Sequence, residues 1–284
     1  MIPAKFDYVR PASVQDAIRA LAGGGDDAKV IAGGQSLLPL LRLRLAYPEL
    51  LVDIGGLDEL SGIDDGGDHL LIGARTTHYR MVHDPLIAQH CGLLAQAAGT
   101  VADPAVRHRG TLGGSLAHAD PAGDLPAVIT ALDATLVAAG PTGTRSISPA
   151  DFFTDYLTTS LAPGEILTAI RVPKLDGWGY RYEKFHVTAQ AWAIVGVAAV
   201  AQRVNGHVGA ARVGLTNMGS VPVRARSVEE AAAGSDASAA ALATAAAHAD
   251  EDTNPPSDLR AASDYRRHLA RVLTARALAA AAGV

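Results

Sequence analysis

Apolar and polar residues alternate along the first sixty positions in a pattern typical of short helices and short strands. Ser13 can cap a first helix. Its apolar residues fall at helical spacing: Val14, Ala17, Ile18 and Leu21. A β-like run at 29–31 follows, then an apolar helical run at 37–46 that Ser36 is placed to cap, and then a β-like run at 50–54. The pattern predicts helices alternating with strands.

The middle of the chain continues in the same way. A strand is predicted at 69–74, and helical spacing extends over 76–98 with breaks at Asp84-Pro85 and Gly92. An apolar run at 125–132 predicts a helix for which Asp124 is a candidate cap. Strands are predicted next, at 134–138 and at 165–173.

The last third of the chain has a different pattern. Residues 180–185 alternate, and two long apolar runs, 191–201 and 208–216, flank Asn205-Gly206, a pair typical of a tight hairpin. An antiparallel meander is therefore predicted. The alanine-rich segment 228–249 favours helices, because alanine has the highest helix propensity. A final helix from about residue 264 places four apolar side chains on one stripe: Leu269, Val272, Leu273 and Ala277. The fold class predicted is α+β.

Composition narrows the class of protein. The chain has 284 residues, enough for two domains, and is 49% hydrophobic and 19% charged, as in a folded globular protein. The glycine-containing segment 174–179 is the predicted domain boundary. A net charge of −5 gives no reason to expect nucleic acid or an anionic membrane as partner. No uncharged apolar stretch reaches the roughly 18 residues of a membrane span, and the first residues lack the apolar core of a signal peptide. A cytoplasmic location is expected.

The chain contains one cysteine, Cys91, in an apolar stretch. An iron–sulfur cluster needs about four Cys thiolates, so this chain cannot hold one by itself. A disulfide framework is excluded for the same reason, and Cys91 is expected to be a packed core thiol. If the protein handles electrons, an organic cofactor must carry them here.

Two short segments with paired glycines are the candidate chemistry. Ala32-Gly-Gly-Gln-Ser36 and Thr111-Leu-Gly-Gly-Ser115 each precede an apolar run. Paired glycines allow backbone N–H groups to approach an anion closely, which suits a diphosphate, although one Gly-Gly alone is most often an ordinary turn. The two segments together can hold one long anionic ligand from both sides. No catalytic triad, metal-binding histidine pair or paired carboxylates stand out, so no catalytic or metal-binding residue is predicted.

The two glycine segments, with His118-Ala-Asp-Pro-Ala-Gly-Asp-Leu-Pro126 after the second, resemble the flavin subunits of molybdenum hydroxylases. These are the medium subunits of the carbon monoxide dehydrogenase and xanthine dehydrogenase family. The similarity extends from Ile2-Pro3 to Tyr265-Arg266-Arg267, nearly the whole chain. It implies a two-part FAD-binding domain of the vanillyl-alcohol-oxidase and p-cresol-methylhydroxylase type at 1–176, with subdomains at about 1–56 and 57–176. A C-terminal flavoprotein domain of antiparallel sheet with helices would occupy 177–284.

The resemblance also implies where FAD binds. The diphosphate would be held by both glycine segments: Ala32, Gly33, Gly34, Gln35 and Ser36, then Thr111, Leu112, Gly113, Gly114 and Ser115. Asp124 matches a family acid on the cofactor, Leu167 an apolar residue packed on the flavin ring, and Lys184 a lysine near the ring's polar edge. Trp192 matches an aromatic residue that covers the ring in carbon monoxide dehydrogenases. The alternative for Trp192 is an anchor in the core of the second domain.

In this family, substrate is oxidised at a molybdenum centre on a large subunit, and electrons pass through [2Fe–2S] clusters on a small subunit to FAD. The resemblance therefore implies an electron-transfer subunit that works with molybdopterin and iron–sulfur partners in a heterotrimer, with a dimer of heterotrimers expected. Two alternatives stay open. One is a self-sufficient FAD oxidase or dehydrogenase of the same flavin fold, and the other is a non-catalytic nucleotide-binding scaffold.

Overall fold

The computed structural model describes residues 2–284, and its strands form three main sheets and one small hairpin. The strands are β1 Asp7–Val9, β2 Ala28–Ile31, β3 Leu50–Asp53, β4 Ile63–Asp65, β5 His69–Gly73, β6 Thr135–Gly140, β7 Gly143–Ile147, β8 Phe153–Asp155, β9 Thr158–Thr159, β10 Ile166–Pro173, β11 Gly179–Phe185, β12 Val195–Val204, β13 His207–Thr216 and β14 Val223–Arg224.

The helices lie between and on these sheets. They are α1 Val14–Gly24, α2 Leu37–Leu43, α3 His78–His83, α4 Pro85–His90, α5 Gly92–Gly99, α6 Pro104–Arg107, α7 Leu112–His118, α8 Asp124–Ala131, α9 Pro149–Phe152, α10 Arg226–Ala232, α11 Ala239–Ala246 and α12 Ser263–Ala282. None of the helices within residues 2–284 is both long enough and apolar enough to cross a membrane. The predicted α+β class is confirmed.

The first sheet is small and parallel, with strand order β1-β3-β2. Helix α1 packs on it through Ala17, Ile18 and Leu21, the apolar positions that helical spacing predicts. The Ser13 hydroxyl accepts the N–H of Asp16 and caps the helix, as expected. The first glycine segment directly follows β2, so this sheet positions it at the candidate site.

The second sheet is antiparallel, with order β4-β5-β10-β6-β7. Helices α3, α5, α7 and α8 form one continuous hydrophobic core with it, in which Leu94, Leu112, Leu125 and Ile170 are fully buried. The register of β10 against β6 shifts between Leu167 and Ala169, so the strand has a bulge where it passes the candidate site.

The third sheet is the predicted antiparallel meander, with order β11-β12-β13-β14. Asn205 and Gly206 join β12 to β13 with φ of 50° and 85°, the positive values that a two-residue hairpin of this kind requires. Helix α12 packs on β11 and β12 with Leu269, Leu273 and Ala277 buried. This sheet carries one wall of the candidate site on β11 and on the connection to β12.

Two predicted helix caps are wrong, and the second glycine segment belongs to a helix. Thr111 caps helix α7, which begins at Leu112. Asp124 is not a helix cap: Gly123 occupies the cap position, and Asp124 is the first residue of α8 with its side chain bonded elsewhere. Ser36 does precede α2, but its hydroxyl makes no capping hydrogen bond.

Candidate functional site

A cavity of about 500 Å³ lies where the three sheets meet. This volume is within the range of about 300–1,000 Å³ of small-molecule and cofactor sites. Its wall combines residues of the first glycine segment, the start of α7, the start of α8, strand β10, strand β11 and the β11–β12 connection. All but one of the site residues predicted from the sequence line it: Ala32, Gly33, Gly34, Gln35, Ser36, Thr111, Gly113, Gly114, Ser115, Asp124, Leu167, Lys184 and Trp192.

The first glycine segment, Gly33–Leu37, is a row of backbone donors on this wall. Within the described residues, its five N–H groups have no hydrogen-bond acceptor in the protein. Gly34 has φ of +75°, which turns the backbone into a conformation that favours glycine. Successive N–H groups in such a turn form a concavity that binds anions. The segment fits the diphosphate role predicted for it.

Gly33 has a second constraint. A Cβ built at Gly33 would lie 2.0 Å from the carbonyl oxygen of Arg109 and 3.1 Å from the Cα of Gly110. The first segment therefore contacts the chain just before the second segment, backbone against backbone, and only a residue without a side chain allows it. This contact fixes the distance between the two glycine segments.

The second glycine segment, Thr111–Ser115, is bonded differently. The N–H of Leu112 donates to the Thr76 carbonyl (2.9 Å), and that of Gly113 donates to the Ala74 carbonyl (2.7 Å). The N–H of Gly114 donates to the Thr111 hydroxyl (3.0 Å), and that of Ser115 to the Thr111 carbonyl (3.0 Å). The amides of Leu112 to Ser115 thus already have protein acceptors. The groups that this segment leaves for a ligand are its hydroxyls and its backbone surface.

Leu112 is the predicted site residue that the structure places outside the cavity. Its side chain is fully buried in the core formed by the second sheet and its helices, and its N–H is bonded to Thr76. The reason is that the second segment is the first turn of a helix, so its apolar member faces the core while its neighbours face the cavity. The sequence pattern alone did not separate these two faces.

A buried acid, phenol and ammonium meet at the cavity wall formed by α8 and β11. We refer to Asp124, Tyr182 and Lys184 as the Asp124 cluster. The Tyr182 hydroxyl donates to Oδ1 of Asp124 (2.6 Å), and Nζ of Lys184 donates to Oδ2 (2.8 Å) and to the Thr100 carbonyl (3.2 Å). The Asp124 and Lys184 side chains are only 5% and 4% exposed. The cluster joins helix α8 to strand β11.

Burial raises the pKa of the Asp124 carboxyl above its ordinary value, and Lys184 and Tyr182 act in the opposite direction. Burial also raises the pKa of Tyr182 well above 10, and the neighbouring carboxylate adds to this effect. The phenol is consequently a hydrogen-bond donor at any working pH. Lys184 has three N–H donors and uses two of them within the protein, so one is left for the cavity.

Leu167 and Trp192 line the cavity from different sides. Leu167 is buried on β10 beside the bulge. Trp192 lies on the β11–β12 connection and is 45% exposed, so the alternative of a core anchor is wrong. The backbone just after Trp192 is held by hydrogen bonds from two side chains: Asn217 donates to Ala193 O, and Arg266 donates to Ile194 O. A half-exposed Trp on a fixed backbone can cover a flat ligand.

Two further lining residues, His78 and His118, were not among the predicted site residues, although His118 begins the motif after the second glycine segment. His78 begins α3, its N–H donates to the Gly110 carbonyl, and desolvation lowers its pKa to about 4, with Arg107 contributing. His118 lines the cavity 3.9 Å from Asp120. Tyr182 does not line the cavity, but alternation on β11 places it on the same face as Lys184, a signal that was available in the sequence.

Neither a metal-binding cluster nor a reactive thiol is found among residues 2–284. The described residues contain no group of three or more His, Cys, Asp or Glu side chains that could hold a metal ion. Burial raises the pKa of Cys91 to about 12, which keeps it a thiol, and it lies in the hydrophobic core as expected. Arg107 donates to the Val101 and Ala102 carbonyls, so its guanidinium is bonded locally rather than facing the cavity.

Comparison with known proteins agrees with this arrangement. Residues 4–175 match the model of the FAD binding domain in molybdopterin dehydrogenase, and residues 180–281 match that of the CO dehydrogenase flavoprotein C-terminal domain. The carbon monoxide dehydrogenase medium chain of Afipia carboxidovorans is 37% identical, covering 98% of this chain and 97% of that one. The glyceraldehyde dehydrogenase medium chain of Sulfolobus acidocaldarius is 35% identical, covering 98% of each.

The same likeness is found among solved structures. A chain of the carbon monoxide dehydrogenase from Hydrogenophaga pseudoflava, in a form that lacks the Mo-pyranopterin moiety of the molybdenum cofactor, superposes with a TM-score of 0.96. It is 40% identical, and the match covers 99% of this chain and 98% of that one. Fold and sequence therefore point to one family over the full length of the chain.

Proposed function

The chain belongs to the family of FAD-binding medium subunits of molybdenum hydroxylases, and we propose that it is the subunit that passes electrons from iron–sulfur clusters on a partner to an external acceptor. When bound, FAD supplies a ring system that accepts two electrons and releases them to another acceptor. The chain's own part is to bind that cofactor, orient it and limit the access of water. One observation carries the proposal: the donor-rich first glycine segment and the Asp124 cluster lie on one continuous cavity.

The site residues fit the two ends of FAD. The unpaired N–H groups of Gly33–Leu37 offer the diphosphate a set of donors without a metal ion. The two backbones meet at Gly33 and Arg109, so the second segment stands directly beside these donors. We place the ring system between Leu167, Lys184 and Trp192, where apolar surface, one ammonium and one aromatic side chain line the wall. The donor set and its spacing support FAD rather than a mononucleotide.

Electrons must come to this chain from elsewhere. Its single cysteine cannot ligate a cluster, and within residues 2–284 no side-chain group could hold a metal. We propose that a small subunit with two [2Fe–2S] clusters and a large molybdopterin subunit bind to this chain as a heterotrimer, and that two heterotrimers pair.

The substrate is not selected by this chain. Relatives named for carbon monoxide and for glyceraldehyde are almost equally similar to it, at 37% and 35% identity over nearly full length. Medium chains of complexes with such different substrates would bind the same cofactor, so their cofactor cavities need not differ with the substrate. We infer that the substrate is chosen on the large subunit.

The test is to express the chain alone and with its partners. Alone, it should take up FAD with a flavin absorbance spectrum but oxidise neither carbon monoxide, nor aldehydes, nor N-heterocycles with an artificial acceptor. Adding the iron–sulfur and molybdenum subunits should allow substrate to bleach the flavin, and the mass of the complex should report the pairing of heterotrimers. Rapid bleaching by substrate in the lone, metal-free chain would contradict the proposal and favour a self-sufficient oxidase. A chain that takes up no flavin at all would favour the nucleotide-binding scaffold.

A further inference from the structure

The Asp124 cluster contains one residue that has no contact with the cavity. Asp124 and Lys184 line the wall, whereas Tyr182 is 4% exposed and lies behind them. We propose that Tyr182 is a positioning residue for the flavin, because its hydroxyl orients the Asp124 carboxylate and thereby holds Lys184 as a fixed cation at the ring. The inference rests on the proposed function, since it needs FAD in this cavity.

The geometry gives each carboxylate oxygen one strong donor. Oδ1 takes the phenol and Oδ2 takes the ammonium, at 2.6 and 2.8 Å, so the carboxylate cannot rotate without losing one of them. Hydrogen bonds to a charged group are stronger than those between neutral groups. The remaining N–H of Lys184 is directed by these constraints and by its bond to the Thr100 carbonyl.

Burying an ion pair is costly, and a pair of apolar side chains would fill the same volume at lower cost. The pair nevertheless lies at the wall of the cavity rather than in the middle of a core. A fixed positive charge at that place stabilises electron density on a ligand beside it, because the local dielectric is low and no reorganisation is needed. Electrostatic control of the flavin accounts for a cluster that stability alone does not.

The space that holds the Tyr182 hydroxyl depends on a glycine on the neighbouring strand. A Cβ at Gly196 would lie 2.6 Å from the Tyr182 hydroxyl, so the phenol fits over a residue without a side chain on the neighbouring strand. Gly196→Ala therefore displaces the hydroxyl without removing it. This provides a second way to disturb the hydrogen bond to Asp124, independent of removing the phenol oxygen.

Removing the hydroxyl has a defined electrostatic result. The groups that act on Asp124 are Lys184 and Tyr182 on β11 and His186 just beyond it, while His118 and Asp120 line the same cavity. Burial raises the pKa of the Asp124 carboxyl, and the phenol is one of the donors that lower it. Without the phenol, the carboxyl therefore takes up a proton at a higher pH. The charge beside the flavin then changes at a higher pH than in the unaltered protein.

The experiment measures the flavin midpoint potential against pH for the full chain loaded with FAD, by spectroelectrochemistry and without substrate. For Tyr182→Phe, we expect the pH at which the curve changes slope to rise by about one unit or more, as the loss of a charge-assisted hydrogen bond implies. Gly196→Ala should shift it in the same direction. Tyr180→Phe is the matched control, because Tyr180 lies on the same strand but is 43% exposed and outside the cluster. It should behave as wild type.

Asp124→Asn/Tyr182→Phe should lack the inflection, because the titrating group is gone. Curves for Tyr182→Phe and Gly196→Ala that superpose on the wild-type curve would overturn the inference. If Tyr182→Phe does not yield folded protein, Gly196→Ala alone decides between these two results. Failure of the proposed function looks different: the wild-type chain would then bind no FAD, or substrate would reduce its flavin rapidly without the partner subunits.

Discussion

The two glycine segments have nearly the same sequence pattern but opposite hydrogen-bonding states. In Gly33–Leu37, five consecutive amides have no acceptor among the described residues, whereas in Thr111–Ser115 the amides from Leu112 to Ser115 all donate to protein oxygens. The difference follows from local structure: one segment is a turn with positive φ at Gly34, and the other is the capped start of a helix. Paired glycines thus leave free backbone donors in one place and form a packing surface in the other.

The roles of individual glycines divide in the same way. Gly33 keeps the two segments in contact, Gly113 lets helix α7 approach Ala74, and Gly114 has only the Thr111 hydroxyl near its missing Cβ. A substitution at each position therefore reports a different property. Flavin occupancy and unfolding free energy, measured together, separate these properties.

The largest effect is expected for Gly33→Ala. The new methyl group would meet the Arg109 carbonyl at 2.0 Å, so the two segments must separate. We expect a loss of about 1–3 kcal/mol of stability from overpacking, together with loss of bound FAD. Gly23→Ala is the control, because nothing lies within 4 Å of a Cβ at that helical position. The ratio of flavin to protein and the thermal midpoint check the prediction, which normal flavin content would contradict.

The next effect is a pH dependence of the free energy of unfolding. It comes from His78, whose N–H donates to the Gly110 carbonyl just before the second glycine segment. The pKa of buried His78 is lowered to about 4 in the folded protein, against about 6.5 in the unfolded chain. Between these values the unfolded chain binds the proton and the folded one does not. The contribution of His78 to the free energy of unfolding is therefore fully present above pH 6.5. It is lost as the pH falls, and the loss reaches about 3 kcal/mol below pH 4.

Denaturant titrations at pH 7, 5.5 and 4 check this dependence. The variant His78→Leu removes the titrating ring while keeping an apolar side chain of similar size. Its stability should depend less steeply on pH over this range. Parallel profiles for the two proteins would show that His78 does not contribute.

A smaller effect on the ligand is expected for Gly113→Ala. Its Cβ would lie 2.6 Å from the Ala74 Cβ and 2.7 Å from the Ala74 carbonyl oxygen, so helix α7 must shift by a fraction of an ångström. We expect about 1–3 kcal/mol of destabilisation, with less change in FAD affinity than for Gly33→Ala, because the Gly113 amide is already bonded. Gly113→Ala/Ala74→Gly should recover part of the stability. Equal loss of affinity at positions 33 and 113 would remove the distinction between the segments.

The smallest effect is expected for Gly114→Ala. The added methyl group would lie 2.7 Å from the Thr111 hydroxyl that caps helix α7, so the cap must shift by a fraction of an ångström. Alanine is favoured over glycine in a helix, which offsets part of this cost, and the unfolding free energy should stay within about 1 kcal/mol of wild type. FAD affinity should fall, since the residue lines the cavity. Calorimetry of FAD binding by the apoprotein measures this, and a clear loss of stability would show that position 114 is also a packing position.

Much of the fold could be predicted because local signals agree with it. Ser13 caps α1, and Asn205-Gly206 forms the hairpin. Three of the four residues of the predicted stripe on α12 face the core, and Val272 is only partly buried. These features depend on residues close together in the chain. The parallel pairing of β1 with β3, between residues about 43 positions apart, has no comparable local signal, and neither does the bulge at Leu167.

The sequence predicted which residues line the candidate site better than it predicted their hydrogen bonds. Both glycine segments, Asp124 and Lys184 line one cavity. Which amides are free depends on where Ala74 and Thr76 lie, and the sequence near Gly113 carries no information about that. The same reason explains Asp124: a short acid before an apolar run is typical of a helix cap, but here a phenol and an ammonium from a distant strand take both oxygens.

The positions of the lining residues along the chain also determine when the cavity wall is complete. Its lining begins at Lys29 and ends at Trp192, and strand β11, which carries Lys184, is packed against the final helix, α12. A Cβ at Gly179 on β11 would meet the Ala281 carbonyl at 1.9 Å, which shows how closely the strand and the end of the chain fit. The wall that carries Lys184 is therefore complete only once helix α12 has packed on β11. We expect FAD uptake to follow the packing of that helix during folding.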